Sequence, residues 1–154
     1  MSVRLLTAPA IEVAPGRVEA RVSCDVARMR TTDVSGLSGR ALEALPGLAR
    51  HTCDNGLDLP VAEELGDTEV VHLLEHVAIE LLLRGAPAKD MRGGTRWDFE
   101  RDGRGAFRLL LEHPDDLATL AALKCALALV EVWATGGTGD VEGAIAEVRR
   151  VRRS

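Results

Sequence analysis

Aromatic residues are scarce in this chain: two Trp, two Phe and no Tyr among 154 residues. A surface that stacks nucleic-acid bases needs such rings, so their scarcity argues against that class of partner. Positive charge is not in surplus either. The net charge of -5 offers no general attraction to phosphate backbones. The basic cluster Arg149, Arg150, Arg152 and Arg153 reads as the last turn of a C-terminal helix, where cations meet the negative end of the helix dipole. No run of 18 apolar residues occurs, and the opening MSVRLLTAPAIEV lacks the basic and apolar regions of a signal peptide. Neither a membrane partner nor export is therefore expected. Cys24, Cys53 and Cys125 are an odd number at irregular spacing, which fits a reducing cytoplasm better than a disulfide framework. Internal repeats are missing, and the glycines of GGTGD (136–140) match neither G-x-G-x-x-G nor a loop ending in Lys-Ser/Thr.

What is present is a chain of one-domain length, 46% hydrophobic and 28% charged, as in an ordinary globular protein. Val3–Leu6 and the alternating RVEARVSC (17–24) read as strands joined through the turn signal Pro15-Gly16. A loop over Thr31–Arg40, a short helix near Ala41–Leu45 and a turn-rich loop HTCDNGLDLP (51–60) follow. Asp67 is a suitable N-cap for a long apolar helix running to Arg84, with Gly85 as its stop. After a polar stretch ending in Gly93-Gly94, Thr95–Phe99 and Ala106–Glu112 read as strands, with Asp102-Gly103 as a hairpin signal between them. A second apolar helix spans Leu117 to about Trp133, in which Cys125 is a small core residue, and a last helix spans Val141–Val151. The expected class is α+β: a single domain over 1–154 with a small antiparallel sheet of about four strands. Two long apolar helices pack on one face of it, and a C-terminal helix completes the fold.

The first long helix carries the chemistry. His72, Glu75 and His76 form HLLEH, the H-x-x-E-H order in which two histidines hold zinc and the glutamate activates water at the metal. Histidines four apart stack on one helix face and can share one ion. Glu69, His72, Glu75, His76 and Glu80 fall within one arc of an otherwise apolar circumference. Such a stripe on a buried helix faces a cavity, a solvent groove or internal hydrogen-bond partners. Glu80 lies about 12 Å along the helix from His72, too far to share its ion. A third ligand must come from elsewhere. Cys53 is the preferred donor because a thiolate binds zinc strongly; His51 beside it, and Glu112 or His113 at a strand end, are the alternatives. Arg92 and Arg96 are candidates to bind a substrate carboxylate through paired hydrogen bonds.

The runs HTCDNG, DTEVVHLLEHVAIELL and GGTRWDF…GRGAFRLLLEH together resemble the N-terminal domain of cyanophycin synthetase. The opening RLLTAPAIEVAPGRVEARVSC and the closing DVEGAIAEVRRV fit more loosely, so the resemblance covers roughly Val3 to Val151. Cyanophycin is a polymer of aspartate with arginine attached to its side-chain carboxylates. In the synthetase the corresponding domain precedes an ATP-grasp domain and a Mur-ligase-like domain, which perform the ligations. This sequence carries no nucleotide loop and is not expected to ligate by itself. The resemblance implies binding of an arginine- and aspartate-containing polymer or peptide. In some members it also implies a metallopeptidase-like site that would fall here on His72, His76 and Glu75, with Zn2+ as cofactor. A homo-oligomer or a separately encoded ligase is the remaining expected partner. The departures are GLDLPVAEEL (56–65), where the family has a glycine-rich stretch, and Pro9-Ala10, where it has a Pro-Asn pair. Both bear on the choice of substrate more than on the metal pair.

Overall fold

A computed structural model describes residues 4–51, 61–99 and 103–152. Four antiparallel strands, β1 (Leu6–Ala14), β2 (Arg17–Cys24), β3 (Arg92–Trp97) and β4 (Ala106–Glu112), form one sheet in the order β1-β2-β4-β3. The helices are α1 (Leu37–Ala44), the single turn α2 (Val61–Glu64), α3 (Val70–Gly85), α4 (Asp116–Ala134) and α5 (Val141–Val151). The class is α+β, as the residue patterns indicate.

Period-two alternation sets the inner face of the sheet. Val18, Ala20 and Val22 of β2 stand opposite Leu111, Leu109 and Phe107 of β4, and all six are buried. Helices α3 and α4 cover that face. Leu73, Leu74, Val77 and Leu81 of α3 are wholly enclosed, as are Ala122, Leu123, Ala126 and Trp133 of α4. Helix α5 packs on both, placing Ile145 and Val148 in the same core. Among the described residues, α4 is the one helix long and apolar enough to cross a membrane by length and composition. Its inner side chains are spent on packing against α3 and the sheet, which makes it a core helix.

Several element boundaries differ from those expected. Strand β1 runs Leu6–Ala14 rather than Val3–Leu6. Its register shifts between Thr7 and Ala10, which lets this edge strand carry Pro9, a residue with no amide hydrogen to donate. The turn into β2 is the expected Pro15-Gly16, with Gly16 at φ 74°. Helix α1 begins at Leu37, inside the expected loop, because Leu37 is drawn fully into the core. Helix α3 is capped at Glu69, not Asp67; Asp67 is held instead by Arg30, whose Nε lies 3.0 Å from Asp67 Oδ1. Strand β3 begins at Arg92, so Gly93 and Gly94 lie within it rather than before it. At Gly93 the strand crosses so close to α3 that a Cβ would meet Ile79 Cδ1 at 2.7 Å and Glu75 Oε2 at 2.9 Å. The glycine is thus the condition for the strand, not its interruption.

Cys24 and Cys125 are free thiols. Burial pushes the Cys24 thiol up from 9.0 to about 12, with Asp25 adding to the shift. The unfolded chain therefore releases this proton first, and the stability it contributes is lost as pH rises from 9 toward 12. At pH 8 the thiolate fraction falls by a factor on the order of 1000. Native protein treated with iodoacetamide should leave Cys24 intact while the unfolded chain reacts readily, read by peptide mass mapping. Comparable rates in both states would contradict the burial.

Candidate metal centre

Helix α3 places His72, Glu75, His76 and Ile79 along one side, at the helical spacing of neighbours. That side forms a wall of a cleft of about 1070 Å³. The loop before α3 and the turn α2 bring Thr68 and Glu64 to it, β3 brings Gly93, Gly94 and Thr95, and the 3-10 turn Pro46–Arg50 brings Arg50 and His51. Strand β3 reaches the cleft because Gly93 allows its close crossing of α3. Thr95, two residues on and on the same face, then donates its hydroxyl to Glu75 Oε1 at 2.6 Å.

The imidazoles are linked in series. Thr68 Oγ1 lies 3.0 Å from His72 Nδ1, and His72 Nε2 lies 3.1 Å from His76 Nε2. On the far side of His76, its Nδ1 lies 2.9 Å from His51 Nδ1, and His51 Nε2 lies 2.9 Å from Glu80 Oε1. His76, Glu75 and Glu80 are 3%, 5% and 4% exposed, so these three groups have little contact with water. Burial, reinforced by His72 and His51, pushes His76 down to about 3, which leaves a neutral imidazole at neutral pH. Burial acts the other way on Glu75 and raises its carboxyl, against the lowering effect of the Thr95 hydroxyl and His72.

Ligand atoms of His72, Glu75 and His76 all lie within 4.8 Å of one another. This group suits a divalent ion. Zinc–imidazole bonds of about 2.0–2.1 Å meeting at a tetrahedral angle set two nitrogens about 3.3 Å apart, close to the observed spacing. A buried oxygen nearby is also left over: Glu64 Oε2 has no hydrogen-bond partner among the described residues, while Oε1 of the same carboxylate lies 3.7 Å from His72 Nδ1. A carboxylate behind a histidine is the usual second support of a metal ligand.

The other candidates are distributed as follows. Cys53 lies outside the described residues. His51 stands behind His76, engaged through both nitrogens, rather than in the gap between His72 and His76. His113 is committed elsewhere, its Nε2 to Ala86 O at 2.7 Å and its Nδ1 to Asp115 N at 2.9 Å. Glu112 is exposed at the end of β4. Arg92 lines the cleft together with Arg50 and Lys89; Arg96, which stands across from Arg108 in β4, is not among the cleft's lining residues. Sequence reasoning missed Glu64, Thr68 and Thr95. Thr68 alone left a signal, standing four residues before His72.

An α+β domain with a histidine–glutamate group at the wall of a cleft is thus the class that fold and site define. A family model for the cyanophycin synthase-like N-terminal domain matches residues 18–135, and the chain belongs to that family. No curated protein matches the chain.

A substitution separates the two glycines of β3. Gly93→Ala would drive its methyl into Glu75 and Ile79, whereas a Cβ at Gly94 meets nothing within 4 Å. Urea denaturation should show Gly93→Ala destabilised by about 1–3 kcal/mol and Gly94→Ala nearly unchanged. Equal effects would refute the close crossing.

Proposed function

We propose that this domain is a metal-dependent hydrolase, with zinc as its ion, that cleaves an amide in an arginine- and aspartate-containing polymer or peptide. The observation that carries the reading is the pair of imidazole nitrogens 3.1 Å apart with a buried carboxylate within 4.8 Å. His72 and His76 would hold the ion, which when bound supplies Lewis acidity to a water and to the amide carbonyl. Glu75 is the proton acceptor. Its raised affinity for a proton brings it nearer to the working pH, and the Thr95 hydroxyl on Oε1 fixes its orientation. Arg92, with Arg50 and Lys89 beside it on the cleft, suits the capture of a substrate carboxylate. Cys53 is retained as the proposed third ligand, since thiolate completes the donor set that zinc prefers. The reading places the domain in the cytoplasm, where thiols such as Cys24 and Cys125 stay reduced, with a separately encoded ligase as functional partner.

The three cations along the cleft also favour a second reading, a module that binds the polymer without cutting it. In that case His72→Ala would leave polymer binding intact. The hydrolytic reading expects about one zinc per purified chain. It also expects Glu75→Gln to keep the metal while losing about 100-fold or more of the cleavage of aspartyl-arginine oligomers. If no zinc copurifies and both proteins are equally inert, the hydrolytic reading falls.

A further inference from the structure

We propose that His51 and Glu80 are positioning residues that brace His76 from behind and present its Nε2 to the metal; the inference rests on the metal-dependent reading above. The direction of each hydrogen bond follows from what its partners can do. A Glu80 carboxylate only accepts, so the proton in the 2.9 Å contact sits on His51 Nε2. Where that is the single proton on the His51 ring, Nδ1 offers a lone pair, and the 2.9 Å contact to His76 is made by a proton on His76 Nδ1. His76 is left with a lone pair on Nε2, the atom that faces His72 Nε2 at 3.1 Å. One buried carboxylate thereby sets the tautomer of a histidine it does not touch.

The space for this brace is built into the backbone. The Glu80 carboxylate lies against Gly47 in the 3-10 turn, where a Cβ would overlap both its oxygens. The side chains of His51 and Glu80 are 7% and 5% exposed, so water does not compete for either bond. His72 is held differently. With the proton of the 3.1 Å contact on its own Nε2, it accepts from the Thr68 hydroxyl at Nδ1. To bind an ion at Nε2 it moves that proton to Nδ1, where Thr68 Oγ1 at 3.0 Å can accept it, with the Glu64 carboxylate 3.7 Å away. His76 is therefore the preset ligand and His72 the adjustable one.

The test uses metal-free protein titrated with Co2+, following its visible absorption and measuring affinity by chelator competition. His51→Gln, Glu80→Gln and Gly47→Ala should each weaken binding by about 10–100-fold, the usual effect of removing the support behind a metal ligand. Each should also change the Co2+ absorption bands. Wild-type affinity and bands in folded variants would overturn the brace while leaving the hydrolytic reading standing. A brace-dependent affinity in a loaded wild type that cleaves nothing would do the reverse, and a wild type that binds no Co2+ removes both. If a variant fails to fold, NMR of the imidazole nitrogens in wild-type apoprotein decides. A proton on His76 Nδ1 supports the brace, and a proton on His76 Nε2 overturns it.

Discussion

Ionisable side chains buried in an apolar helix are tolerated only when each finds a partner, and α3 is organised around that demand. Leu73, Leu74, Val77 and Leu81 are each wholly buried on this helix, and burying each side chain stabilises the fold by about 1.5–3 kcal/mol. An unsatisfied buried polar group costs about 1–3 kcal/mol, so a helix carrying three of them could lose much of that gain. The partners remove the penalty: Thr95 for Glu75, His72 and His51 for His76, and His51 for Glu80. Among the described residues the unmet demand lies at Oε2 of Glu64, a residue that lines the cleft near His72.

Two glycines, neither on α3, make this arrangement possible. Gly93 lets β3 cross near Glu75, and Gly47 makes room for the Glu80 carboxylate. The helix thus receives one polar support from the sheet and another from the end of the 3-10 turn Pro46–Arg50. The two supports act on different members of the site: the strand orients the carboxylate, and the turn orients a histidine. Packing in such a region is dense enough that one added methyl group on either side would displace a functional side chain.

Much of the fold was legible because its signals are local. Alternation along 17–24 and the apolar run 106–112 after the Asp102-Gly103 turn signal marked the central strands, and the spacing of His72, Glu75 and His76 placed the site's centre on one helix face. The misplaced boundaries share a different cause. Gly93-Gly94 looks like a loop when read along the chain, yet it is strand because α3 leaves no room for a side chain there. Asp67 has the chemistry of a cap but is taken by Arg30, 37 residues earlier in the chain. His51 was legible as a residue near the histidine pair and not as one standing behind it. Its partners, His76 and Glu80, lie 25 and 29 residues away, and no local pattern encodes which nitrogen meets which.

Burial, finally, prepares both halves of the site through one physical cause. Removing water penalises whichever form is charged, so it lowers the proton affinity of His76 and raises that of Glu75. In the proposed hydrolase a ligand must offer a lone pair and a base must accept a proton near neutral pH, and the two shifts run in the directions those proposed roles would need. The hydrogen bond between His72 and His76 completes the preparation. It holds two nitrogens 3.1 Å apart, near the about 3.3 Å that a shared tetrahedral ion would set. An ion replacing that proton would find its ligands in position, with little reorganisation to oppose binding. The cost of keeping charge away from water has already been met in folding, by the leucines that surround the same helix.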